Sequence, residues 1–175
     1  MIDEKFIEKY SKKYDEKYKN RYLEDKILSK IKSQFSKGKT KYLTKGILAD
    51  IVYWKAKRAK GHAEKNDDAF VVEVTSKCLS STNEQFKVEG LTLLNGVKYR
   101  MATAILHFCF PSKYTIMDYR AWWTLQRKGY LASSYKIKDD FEHWQRYLSV
   151  CRKISHRYQR RLRELDKALW KYSKG

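Results

Sequence analysis

Apolar and polar residues alternate along most of this chain with a helical period. Phe6, Ile7, Tyr10, Tyr14 and Tyr18, then Leu23, Ile27, Leu28, Ile31 and Phe35, recur at steps of three and four. That spacing predicts an amphipathic helix over 3–35, broken near Asn20. SKGKTKY at 36–42 reads as a loop, with Gly38 a helix stop. Thr44 is placed to cap a helix from Lys45 to about Lys60, with Ile47, Leu48, Ile51 and Val52 on its buried face. GHAEKN at 61–66 predicts a turn, and Asn66 a cap for a helix over 67–79 that carries the buried face VVEV. Ser81 or Thr82 begins a helix through Leu94, and Ser81 with Glu84 has capping-box spacing. A hairpin at 95–99 leads into a helix over 100–109 that Pro111 ends. Asp118 opens a helix to about Lys128, stopped by Gly129. Two more helices follow, at 138–157 and from Tyr158 to Tyr172.

Composition agrees with an all-α fold. A single Pro and 7 Gly leave few segments forced out of a helix, and 14 Tyr, 7 Phe and 5 Trp supply ample anchors for a core. The length of 175 residues suits one domain, or two small helical lobes. The expected arrangement is a single helical domain over 1–175. Its central, barrel-like lobe spans 44–130 and contains the hairpin element at about 82–109. Residues 1–40 and 136–173 form a second lobe. The formal net charge of +19 exceeds what solubility needs. Its usual physical partner is a polyanion whose condensed counterions are released on binding, and a merely well-solvated surface is the alternative.

Cys78, Cys109 and Cys151 are odd in number and far apart, which excludes a disulfide framework and a CxxC metal knuckle. No His pair has metal-ligand spacing, so no metal and no cofactor is expected. The charged start MIDEKFIEKY lacks the apolar stretch of a signal peptide, and no apolar run approaches membrane-spanning length. These features lead to the expectation of a monomeric, soluble, cytoplasmic protein that meets DNA and no membrane.

The stretch LTLLNGVKYRMATAILHFCFPSKYTIMDYRAWW, residues 91–123, carries the candidate chemistry. Gly96 permits a tight turn between two helices. Ala102 lets them approach closely, and Leu91, Leu94, Val97, Ile105 and Leu106 lock them from inside. Backbone N–H groups around Asn95, Gly96, Val97, Lys98, Tyr99 and Arg100 then face outward at a helix N-terminus, where they can bind a phosphate irrespective of sequence. An ordinary packing corner between helices is the competing reading.

This segment resembles the helix-hairpin-helix element of the DNA glycosylase superfamily that includes endonuclease III, the adenine and alkyladenine glycosylases and 8-oxoguanine glycosylase. The family hairpin, Leu-x-Gly-Val-Gly, is followed by a helix, a Pro-containing crossing and a hydrophobic-hydrophobic-Asp signature. Here LNGVK is followed by TIMDYRAW, and Asp118 lies 22 residues after Gly96, as in the family. The specific likeness covers about 35 residues and implies a helix-hairpin-helix glycosylase-like bundle. It departs from the family at Lys98, where the second hairpin glycine is expected, and it lacks the four-Cys iron–sulfur loop. Lyase-competent members carry a Lys where this chain has Arg100, and a guanidinium stays protonated and forms no Schiff base. The resemblance therefore implies a monofunctional base-excision enzyme in DNA repair, a hydrolase of N-glycosidic bonds.

The same resemblance makes Asp118 the catalytic carboxylate. Breaking an N-glycosidic bond builds positive charge on the sugar, and a carboxylate beside C1′ stabilises it and can orient water. A helix cap is the plain alternative for Asp118. A target nucleotide would have to leave the stack, so Trp54, Trp122 and Trp123 are candidate walls of a base pocket, or core residues. Lys55 and Arg58 follow Trp54 on a basic face and are candidate phosphate contacts. Arg157, Arg160, Arg161 and Arg163 form either a DNA-facing stripe or a solvated face. A non-catalytic helix-hairpin-helix DNA-binding module and a nucleoprotein scaffold remain the competing functions.

Overall fold

A computed structural model describes residues 1–18 and 21–175. Among these the chain is all-helical, with no strand. The helices are α1 (Glu4–Lys17), α2 (Arg21–Ser36), α3 (Lys45–Lys55), α4 (Lys60–Ala63), α5 (Asp68–Ser80), α6 (Glu84–Gly90), α7 (Tyr99–Cys109), α8 (Tyr119–Arg127), α9 (Phe141–Arg157) and α10 (Leu162–Tyr172). Short 3₁₀ turns occupy Lys57–Ala59 and Leu91–Leu93. No helix among the described residues is long and apolar enough to cross a membrane.

Several boundaries differ from the sequence pattern, each for a local reason. The break expected near Asn20 lies outside the described residues. The helix after Thr44 ends at Lys55 instead of Lys60, and the predicted turn at 61–66 begins with the short helix α4. Asp67, not Asn66, caps α5: its carboxylate accepts from the Phe70 amide at 3.1 Å. Asn83 replaces Ser81 as the cap of α6, accepting from Phe86 N at 2.8 Å, while Ser81 Oγ takes the Asn83 amide. The helix α6 gives way to a 3₁₀ turn before Leu94. Tyr158 lies beyond α9, outside the last helix.

The chain divides into two compact units. Unit 20–110 contains α2 to α7, and the other joins 1–19 to 111–175. The sequence pattern instead grouped 1–40 with 136–173 and left 111–130 in the central lobe. In the structure α2 belongs with α3 and α7, and α8 belongs with α10.

In the 20–110 unit, α7 is the central element. Its residues are buried on every side from Met101 to Cys109, so this helix is a core strut. Ile27 and Ile31 of α2, Leu48, Ile51 and Val52 of α3, and Val88 of α6 are buried in this unit. Thr75 secures the segment entering α3 by accepting the Leu43 amide at 2.9 Å. Gly90 lies so near α5 that a Cβ there would meet Cys78 Sγ at 2.6 Å.

In the terminal unit, α1 lies on α10. Phe6, Tyr10 and Tyr172 form a triad of rings with centroids 4.8–5.2 Å apart. Lys167 pairs with Asp15 at 2.8 Å, and Arg160 reaches Glu4 at 2.7 Å. Trp122, Trp144, Tyr114 and Tyr147 of the same unit are almost wholly buried.

Candidate nucleic-acid interface and carboxylate site

The hairpin between α6 and α7 is fixed by a contact the sequence pattern did not predict. Asn66, 3% exposed, reads both backbone groups of Asn95. Its Oδ1 accepts the Asn95 amide at 2.8 Å, its Nδ2 donates to Asn95 O at 2.9 Å, and the same Nδ2 donates to Ala63 O at 2.8 Å. The side chain expected to cap a helix thus ties the hairpin to the end of α4. Gly96 has φ +82°, and a Cβ there would lie 2.9 Å from Ala63 N and 3.3 Å from Ala59 O. Both conformation and space therefore require glycine. The Val97 amide closes the turn onto Leu94 O at 3.1 Å.

Val97 and Tyr99 are buried, so their side chains anchor the hairpin from within instead of facing a ligand. Asn95 and Lys98 are exposed, and Gly96 and Arg100 are half-buried. Helix α7 starts at Tyr99 with Lys98 in the cap position, no side-chain cap and no acidic residue in its first turn. Most other helices of eight or more residues here have a capping Asp or Thr or an early acid. The start of α7 therefore combines the positive end of a helix dipole with two cationic side chains.

Close approach at Gly96 brings the hairpin onto the segment 57–65. This segment carries Lys57, Arg58, Lys60 and Lys65. Lys57 and Lys60 lie over the Tyr53 ring at 5.6 and 5.7 Å, and Lys60 also pairs with Glu64 at 3.3 Å. Among the described residues Lys57, Arg58, Lys65 and Lys98 form no ion pair. Sequence reading selected Arg58 but missed Lys57, Lys60 and Lys65. The turn and the hairpin adjoin only because Asn66 and Gly96 join them. Lys55 ends α3 half-buried.

Asp118 belongs to the terminal unit. It caps α8, its Oδ1 accepting the Arg120 amide at 2.9 Å, and its side chain is half-buried. Two residues before it, Ile116 O accepts the buried Tyr147 hydroxyl at 3.1 Å. Burial pushes that phenol well above its ordinary pKa, and the charges of Cys151, Asp166 and Asp118 push the same way. Asp166 is 4% exposed and paired with Arg163.

The three candidate tryptophans differ in setting. Trp54 lies in the 20–110 unit, half-buried and edge-on to Phe108 at 4.9 Å. Trp122 is 1% exposed, donates to Tyr135 O at 3.1 Å and stacks with Tyr147 at 6.0 Å, so it is core and not a pocket wall. Trp123 is 42% exposed under the Arg127 guanidinium. The C-terminal arginine stripe is largely consumed internally: Arg160 pairs with Glu4 and Glu8, Arg161 with Glu164, and Arg163 with Asp166. Among the described residues no group of three or more His, Cys, Asp or Glu side chains could hold a metal ion. No family model, curated protein or solved structure matches this chain.

Proposed function

We propose that this chain binds DNA through the hairpin at 94–100 and hydrolyses an N-glycosidic bond with Asp118, as a monofunctional relative of the helix-hairpin-helix glycosylases. The observation that carries the binding half is the uncapped start of α7, with exposed Lys98 beside it and the Lys57–Lys65 segment packed against the turn. The Asn95 and Val97 amides are spent within the hairpin, so a phosphate set there would meet the amides that follow at the start of α7, a helix dipole and cationic side chains together. None of these reads a base, so binding is independent of sequence.

In the reaction, the bond from C1′ to the base nitrogen breaks and its electron pair leaves with the base. Water supplies the new C1′–O bond, its proton passes to the Asp118 carboxylate or to solvent, and the departing base takes up a proton from the same source. The same carboxylate balances the positive charge on the sugar. Arg100 offers no amine for a covalent imine, so the strand remains intact with an abasic site.

Labelled duplexes, each carrying one altered base, provide the test. Treatment with hot alkali after incubation should reveal a break at the lesion, with no break before alkali. Raising salt should weaken binding with a logarithmic slope of about −4 to −5 if about five phosphates are neutralised. A flat salt response would refute the backbone contact.

A second reading keeps DNA binding and removes the chemistry. It is favoured by Asp118 Oδ1 being spent on the Arg120 amide and by the burial of Trp122. Salt-dependent binding with no alkali-labile site on any lesion would select it.

A further inference from the structure

We infer that the exposed face of α8, together with Trp170, Lys174 and Tyr18, is a stacking platform for unpaired DNA bases. Tyr119 and Trp123 are four residues apart on α8 and are 50% and 42% exposed. They contribute little to core closure, which Ala121, Trp122 and Leu125 supply from the other side of the helix. Their positions are separated by about 6 Å along the helix axis, enough for each ring to take its own base.

Cations alternate with these rings. Arg127 lies 5.2 Å over Trp123. Arg120 bridges two rings, 5.1 Å over Tyr119 and 5.5 Å over Trp170. Lys174 is 4.6 Å over Trp170 and 5.9 Å over Tyr18. Among the described residues, Arg120, Arg127 and Lys174 form no ion pair. An apolar protein partner would have to strip water from three uncompensated charges. Duplex DNA would satisfy the cations but hides its base faces. An unpaired strand supplies phosphates for the cations and π-faces for the rings. The platform begins one residue after Asp118 in the chain.

This inference rests on the reading that the chain's polyanion is DNA, and the experiment separates the two. Fluorescence anisotropy would compare a short oligo-dT with a blunt duplex, and tryptophan emission would report stacking. The wild-type chain should bind oligo-dT with quenching. Tyr119→Ala combined with Trp123→Ala should cost about thirtyfold or more in oligo-dT affinity, the loss of two stacked bases, with duplex affinity changed less than about twofold. Arg127→Gln should weaken oligo-dT binding and lower its salt slope by about 0.7. Lys98→Ala with Arg58→Ala should do the reverse, weakening the duplex complex more. Circular dichroism verifies that the variants remain folded. Duplex binding that survives while oligo-dT affinity ignores Tyr119 and Trp123 overturns the platform and leaves the hairpin reading intact. Failure of the wild-type chain to bind either DNA overturns both. A self-association in sedimentation that the double variant dissolves would make this face a protein interface and overturn the platform.

Discussion

Asn66→Ala tests whether one buried amide sets the shape of the hairpin. The substitution deletes the three hydrogen bonds to Ala63 O, Asn95 O and Asn95 N. Each is worth about 0.5–1.5 kcal/mol net, so the sum spans about 1.5–4.5 kcal/mol. Asn95 is exposed and can recover water on both backbone groups, which discounts the upper end. The expected cost is about 2–3 kcal/mol, felt in the 20–110 unit. Amide hydrogen exchange at Asn95 is the sharpest assay, because Asn66 Oδ1 is the acceptor of that N–H. Protection there should fall, and urea unfolding should move to lower concentration. Duplex affinity should fall too, although no charge has been removed.

Asn66→Asp supplies the signed control. It keeps an acceptor for the Asn95 amide but points a carboxylate at two carbonyl oxygens. The charged form is disfavoured, so its folded pKa lies above the unfolded value of about 3.9. The variant should therefore regain stability as pH falls through that raised pKa, relative to wild type. An Asn66→Ala chain that unfolds within about 0.5 kcal/mol of wild type, with Asn95 still protected, would refute this account of the hairpin.

Other expectations follow from single contacts. Gly96→Ala should destabilise by about 2–4 kcal/mol, from left-handed strain plus the clash with Ala63 N, as read by urea unfolding. Asp118→Asn should keep the cap and the fold while abolishing base release; Asp118→Ala should lose about 1 kcal/mol of stability as well. Unchanged release by Asp118→Asn would remove that residue from the chemistry. Burial raises the thiol of Cys78 to about 11 and pushes Cys109 and Cys151 higher still. All three should resist alkylation at pH 8 until the chain unfolds. Because the unfolded thiols ionise first, stability should fall as pH rises from about 8.5 towards these folded values.

Periodicity located the helices well because burial here follows helix faces. The predicted residues Ile47, Leu48, Ile51 and Val52 are all buried, and α8 opens at Asp118 as its spacing implied. Caps were less legible: Asn66 and Asp67 are both good caps by type, and only the approach of Asn95 decides which is used. The hairpin glycine could be read locally, since a tight turn needs it. Its neighbours at Ala59 and Ala63 could not, because they lie more than 30 residues away in sequence. Asp166 carried no local signal at all. It is buried beside Arg163, an outcome of how α10 packs. Trp122 and Trp123 show the limit most simply. They are adjacent in sequence, and helix rotation alone sends one into the core and leaves the other at the surface.

The large positive charge also changes meaning once its members are placed. Arg160, Arg161 and Arg163 look, in sequence, like part of a DNA-binding stripe, yet each is paired with a carboxylate, Arg160 with Glu4 of α1 and Arg161 and Arg163 with Glu164 and Asp166 of α10. Partly shielded pairs of this kind serve the fold, and their neutralisation should be felt first as lost stability. Lys57, Arg58 and Lys98 have no such partner among the described residues, and neither have Arg120, Arg127 and Lys174. The first three adjoin backbone amides at a turn, a setting suited to phosphate alone. The second three lie over aromatic rings, a setting suited to phosphate and base together. The uncompensated charge thus falls into two chemically different groups on two separate units, and under the proposed function the hairpin would take duplex DNA and the α8 face an unpaired strand.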